Sequence, residues 1–144
     1  MATVNAYLIF NGNCAEAFRF YQAAFGGEFS YFSQFKDMPV EEGCEPLPED
    51  EGERVMHVSL PMSNETILMG SDSTSQSGDV VFGNNFSVSI NTQSVEEADK
   101  LFQKLSENGK ILMPMTKTFW NAYFGMFTDK FGISWMINYD FPAA

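Results

Sequence analysis

Asn13-Cys14-Ala15-Glu16-Ala17-Phe18-Arg19-Phe20-Tyr21 and Ser94-Val95-Glu96-Glu97-Ala98-Asp99-Lys100-Leu101-Phe102 begin alike. Each opens on a residue suited to cap a helix, with a glutamate three positions later: Asn13 with Glu16, Ser94 with Glu97. In such a capping box the cap side chain and the acid satisfy orphan backbone N–H groups reciprocally. Ala17, Phe18, Tyr21, Ala24 and Phe25 then recur at helical spacing, as do Val95, Ala98, Leu101, Phe102 and Leu105. Gly26-Gly27 and Gly109 follow, where a left-handed C-terminal cap is expected.

Working outward from the helices, each has one strand before it and three after it. Val4 to Phe10 leads into the first helix, and Phe29 to Phe35, Val55 to Leu60 and Thr66 to Ser71 follow. Phe86 to Asn91 leads into the second, and Lys110 to Met115, Ala122 to Thr128 and Ile133 to Tyr139 follow. Met62-Ser63-Asn64-Glu65 and Asp129-Lys130-Phe131-Gly132 suit tight hairpin connections. The order is βαβββ twice, an α+β domain over residues 1–144 with module one at about 1–72 and module two at about 85–144. Asp72 to Asn84, rich in Ser, Gly and Asp, reads as a linker. Asp37 to Glu53, with eight acids and three prolines, reads as a solvated loop.

The 144 residues suffice for one domain with a real core, and the fifteen Phe and nine Met make that core bulky and soft. A net charge of −11 repels phosphate backbones and anionic lipid, so neither nucleic acid nor membrane is an expected partner. Cys14 and Cys44 form no CxxC pair, which fits a reduced cytoplasmic protein. Met1 to Phe10 lacks the features of a signal peptide, and no apolar run approaches membrane-spanning length.

Alternation along the strands assigns faces. Phe86, Val88 and Ile90 oppose Asn85, Ser87 and Ser89; Met56, Val58 and Leu60 oppose His57 and Ser59; Ile133, Trp135, Ile137 and Tyr139 oppose Ser134, Met136 and Asn138. The greasy face backs onto a helix. The other meets solvent or lines a concave sheet that holds a ligand. His57, the single histidine, is the one side chain that ordinarily titrates near neutral pH, and is a candidate general base or hydrogen-bonding anchor. Phe119, Trp120 and Tyr123 form an aromatic cluster that, with Met69, Met136 and Met115, either walls a site for a planar or apolar molecule, closes a barrel-like half or buries a dimer contact.

Tyr7 to Tyr21 with Phe25-Gly26-Gly27-Glu28, Val55 to Leu60 with Leu68 to Asp72, and above all Thr118-Phe119-Trp120 with Phe124 to Asn138 resemble the PhnB-like branch of the glyoxalase (vicinal oxygen chelate) superfamily. The resemblance implies two βαβββ modules whose curved mixed sheets enclose one cavity, within a homodimer. The preferred reading is a small-molecule binding protein or a metal-independent enzyme of that superfamily. A divalent-metal lyase or dioxygenase with unusual ligands (His57 with Glu65, Asp72 or Asn85) and a drug-sequestering binder are the alternatives. Carried over from metal-dependent members, the ligand positions fall on Ala6, Met69, Asn85 and Met136, which offer too few suitable donors, so no metal or other cofactor is expected. Some similar proteins bear a 3-demethylubiquinone methyltransferase label. Nothing here forms the Gly-rich Rossmann-like run that a typical S-adenosylmethionine enzyme needs.

Overall fold

A computed structural model describes residues 2–39 and 47–143, which fall into two compact units, Met1–Val81 and Phe82–Ala144. The first unit contains β1 (Tyr7–Phe10), α1 (Cys14–Phe25), β2 (Tyr31–Gln34), β3 (Val55–Pro61) and β4 (Ile67–Asp72). The second contains β5 (Val88–Asn91), α2 (Val95–Leu105), β6 (Lys110–Lys117), β7 (Ala122–Thr128) and β8 (Ser134–Asp140). Both sheets are open and mixed, with orders β1-β4-β3-β2 and β5-β8-β7-β6. In each, the strand before the helix pairs in parallel with the last strand, and the remaining pairs are antiparallel. The repeat expected from element order is therefore a repeat of topology.

Each helix lies on one face of its own sheet. In the first unit Phe10, Phe18 and Tyr21 are fully buried together with Val55, Val58 and Leu60. Burying such a side chain contributes about 1.5–3 kcal/mol. Phe18 sits directly over Gly70, where an added Cβ would come within 2.6 Å of its ring and 2.8 Å of the Leu8 carbonyl oxygen. In the second unit Phe102 meets Phe127 edge-to-face at 5.1 Å and covers Gly125, above a core that includes Trp135 and Ile137.

Asn13 makes no side-chain capping bond, because its backbone (φ −111°, ψ 23°) is not extended as a cap requires. The acceptor comes instead from the far end of β4. Asp72 Oδ1 accepts from the N–H groups of Gly12 and Cys14, and Oδ2 from that of Val55, each at 2.9 Å. The parallel pairing sets Asp72 beside Phe10, just before the turn into α1. For α2 half of the expected box forms: Ser94 Oγ accepts from the Glu97 N–H at 3.1 Å, while the Glu97 carboxylate takes the Gln93 N–H.

Gly109 is not a left-handed cap. Asn108 takes the positive φ (59°), and Gly109 is needed for space, since a Cβ there would collide with the Thr128 carbonyl oxygen. The strands entering the helices, β1 and β5, are shorter than expected, four residues each. Phe86 thus lies outside β5 and is 67% exposed. In β3, Val55 and Met56 together oppose Gln34 in a bulge, so Val55 rather than Met56 joins Val58 and Leu60 in the core.

Much of the expected linker is stitched onto the first unit. The Arg54 guanidinium donates to the Ser73 carbonyl, Ser75 donates twice to the Glu51 carboxylate, and Val80 N–H donates to Asn11 Oδ1. Glu51, expected on a solvated loop, is only 7% exposed for this reason. Glu41, Glu42 and Glu45 of that loop lie outside the described residues.

Candidate functional site

The face of the first sheet turned away from α1 carries one row that crosses all four strands: Tyr7, Met69, Ser59 and Tyr31. His57 and its cross-strand neighbour Ser33 lie one pleat away on the same face. His57 Nδ1 is 3.1 Å from Tyr7 Oη, and Nε2 is 2.8 Å from Ser59 Oγ. The Tyr7 ring stacks on the imidazole at 5.6 Å between centroids, and Tyr31 approaches it at the same distance, tilted by 50°. Ser33 is buried, and its hydroxyl has no hydrogen-bond partner among the described residues. Alternation thus sets His57 opposite the core, as expected. Tyr7, Tyr31 and Ser59 were missed as its partners because their meeting depends on cross-strand register.

The equivalent row of the second unit is Ser89, Met136, Met126 and Met113. Its chemistry is different: Met136 matches Met69, but Met126 and Met113 stand where the first row has Ser59 and Tyr31, and Ser89 stands where it has Tyr7. Asn138 and Asn91, beside it on the same face, bond to each other at 3.1 Å. The two sheets thus use one register for two kinds of surface, one hydrogen-bonding and one soft and apolar.

Of the expected aromatic cluster, Phe119 and Trp120 meet edge-to-face at 4.9 Å in the turn between β6 and β7, 98% and 54% exposed. Trp120 also contacts Phe124, which shares the face of Met136. Tyr123 does not join them. One residue earlier in β7, it lies on the opposite face, and its hydroxyl donates to Asp99 of α2 at 2.6 Å. That bond, with lesser contributions from burial and the Asp99 charge, raises the pKa of Tyr123 above that of an ordinary phenol, making it a weaker acid. Met115 likewise lies on the helix side, its sulfur against Gly125.

Register also revises the positions considered for a metal. Tyr7, not Ala6, shares a row with Met69, and Ser89, not Asn85, shares one with Met136; Asn85 is exposed and precedes β5. Neutral hydroxyls and thioethers do not fit a hard or borderline divalent ion. Asp72 cannot complete a set with His57, since it faces α1 and both its oxygens accept backbone bonds. Glu65 sits in the exposed turn after β3. Among the described residues no three His, Cys, Asp or Glu side chains are grouped to hold a metal ion. A recess of about 600 Å³, lined by Asn11, Glu51, Arg54 and Asp79 among others, includes none of the expected site residues.

Two open βαβββ sheets of identical topology, each with a helix on one face and a cross-strand row of side chains on the other, define a class of protein. The chain belongs to the glyoxalase/bleomycin resistance protein/dioxygenase superfamily, whose family model matches residues 3–137. It is 36% identical to protein YjdN of Escherichia coli strain K12, covering 94% of this chain and 93% of YjdN. Protein PA1353 of Pseudomonas aeruginosa has a similar structure, with a TM-score of 0.84 and 38% identity over 97% of this chain and 98% of that one. A Bacillus cereus PhnB protein, also named as a 3-demethylubiquinone-9 3-methyltransferase, matches with a TM-score of 0.74 and 28% identity over 96% of this chain and 99% of that one. Among the described residues no helix is long and apolar enough to cross a membrane.

Proposed function

We propose that this protein binds a small molecule on the Tyr7–Met69–Ser59–Tyr31 face, with the His57 network as its polar anchor, and that any chemistry it performs is metal-independent. The single observation carrying this reading is the three-residue chain Tyr7–His57–Ser59 on the sheet face opposite the packed core. Such a network costs side-chain freedom and desolvation without adding to the core, which suits a recognition role better than a packing role. The protein acts as a cytoplasmic homodimer in this reading. Methyl transfer, suggested by the second name of the B. cereus relative, is not carried over. Each sheet has one parallel pair where an S-adenosylmethionine site of the usual kind needs a parallel, doubly wound sheet.

Sequestration without turnover is the second reading, favoured by the Met113–Met126–Met136 row and the exposed Phe119–Trp120 pair, which suit a planar apolar body.

The test is a thermal-shift screen of small aromatic, carbonyl-containing and antibiotic compounds, repeated with His57→Gln and with chelator. A ligand at a hundred times its dissociation constant stabilises the folded state by about 2.7 kcal/mol, or roughly 6–10 °C for a chain of this size. The expected result is a shift that survives chelator and is lost in His57→Gln. A shift abolished by chelator but restored by zinc or manganese would overturn the metal-independent reading.

A further inference from the structure

Both nitrogens of the His57 ring are already engaged, Nδ1 with Tyr7 Oη at 3.1 Å and Nε2 with Ser59 Oγ at 2.8 Å. The imidazole therefore has no N–H or lone pair left to meet a ligand directly. Ser59 is 7% exposed, and among the described residues His57 Nε2 is the only hydrogen-bond partner of its hydroxyl. A buried hydroxyl proton without an acceptor costs about 1–3 kcal/mol. The Ser59 proton is accordingly donated to Nε2. With Nε2 an acceptor, the proton of the neutral ring resides on Nδ1, and Nδ1–H donates to Tyr7 Oη.

Tyr7 is 45% exposed, and its own O–H has no other partner among the described residues. We propose that Tyr7, and not His57, is the group that meets the ligand, as a hydrogen-bond donor held in place by the Nδ1–H form of His57. The ligand is then a small molecule presenting an acceptor oxygen, a carbonyl or carboxylate. Ile9 and Met69 beside Tyr7 supply apolar contact for its body. The inference rests on the reading that this face binds a small molecule. His57 becomes a positioning residue: its N–H fixes the phenol oxygen and, by polarising the O–H, strengthens the bond that Tyr7 donates. Ser59 selects the tautomer.

The chain has one histidine, so long-range proton–nitrogen spectra of uniformly ¹⁵N-labelled protein report this ring alone. At a pH where the ring is neutral, a protonated Nδ1 and an unprotonated Nε2 are expected. An Nε2–H ring overturns the inference. Ser59→Ala removes the donor to Nε2, and the Nε2–H form should rise several-fold, whereas Ser59→Thr, which keeps the hydroxyl, should hold the ring in the Nδ1–H form. An unchanged ring in Ser59→Ala overturns the role given to Ser59. Acetophenone, an acceptor-only ketone, then serves as the probe, compared with its oxygen-free counterpart α-methylstyrene. Acetophenone should bind the wild type about fivefold to tenfold more tightly than Tyr7→Phe, a difference set by one neutral hydrogen bond. α-Methylstyrene should not distinguish them. Equal acetophenone affinity, or no binding, overturns the donor role of Tyr7. The two readings fail separately, because an Nε2–H ring refutes this one while leaving the thermal-shift result of the binding proposal intact.

Discussion

Replacing Asp72 should unfasten the first unit at the point where β1, α1, β3 and β4 meet. The carboxylate is 4% exposed and accepts three backbone N–H groups, those of Gly12, Cys14 and Val55, each at 2.9 Å. Leaving one buried donor unpaired costs about 1–3 kcal/mol. Asp72→Ala abandons all three, and because part of the turn at Gly12 can regain water the net loss should be about 4 kcal/mol. That is a large share of the ~5–15 kcal/mol that holds an ordinary domain. Asp72→Asn keeps one carbonyl oxygen for Gly12 and Cys14 but turns an N–H2 toward Val55, and should cost about 2–3 kcal/mol. Asn13→Ala, at the position that looks like the cap, should cost under ~0.5 kcal/mol because its side chain makes no capping bond, whereas Ser94→Ala should cost about 1 kcal/mol. Urea unfolding measures all four, with the midpoint moving at constant slope. A loss below ~1 kcal/mol in Asp72→Ala, or one no larger than in Asn13→Ala, would refute the assignment of the cap to Asp72.

Gly70→Ala should destabilise by about 1–3 kcal/mol in the same assay, since its Cβ would enter both the Phe18 ring and the Leu8 carbonyl, one of which is rigid backbone. A neutral Gly70→Ala would mean that Phe18 is not seated on β4. Cys14 is fully buried, and burial, with the Asp72 charge second, pushes its thiol far above the ordinary value of 9.0. The folded state therefore keeps a proton that the unfolded state loses, so this contribution is intact below pH 9.0 and is lost above it, by about 1.4 kcal/mol per pH unit. Unfolding measured between pH 8 and 10 should show a steeper decline in the wild type than in Cys14→Ala; identical slopes would contradict it.

Helix periodicity and strand alternation, which are local, were enough to recover both helices, the eight strands in order and the duplicated order of elements. Ala17, Phe18 and Tyr21 recur on one side of α1 whatever they face, and Val58 and Leu60 oppose His57 and Ser59 through the pleat alone. The family was legible from the run around Phe124 to Asn138 for the same reason, since it is a property of neighbouring residues. Composition identified His57 as a candidate because the chain offers no second histidine.

What chain order could not supply was anything settled by the pairing of distant strands. Asp72 follows Cys14 by 58 residues yet caps the helix that Cys14 begins, because parallel pairing sets β4 beside β1. Tyr7 reaches His57 across 50 residues, and a bulge at Met56 decides which residues of β3 are buried. Tyr123 left the aromatic cluster through one step of alternation in β7, measured from a register that only β8 could define. Local sequence sets which side a residue points relative to its own neighbours; hydrogen-bonded register between strands sets what stands opposite it. The core depends mainly on the first, and the candidate site of this protein depends on the second.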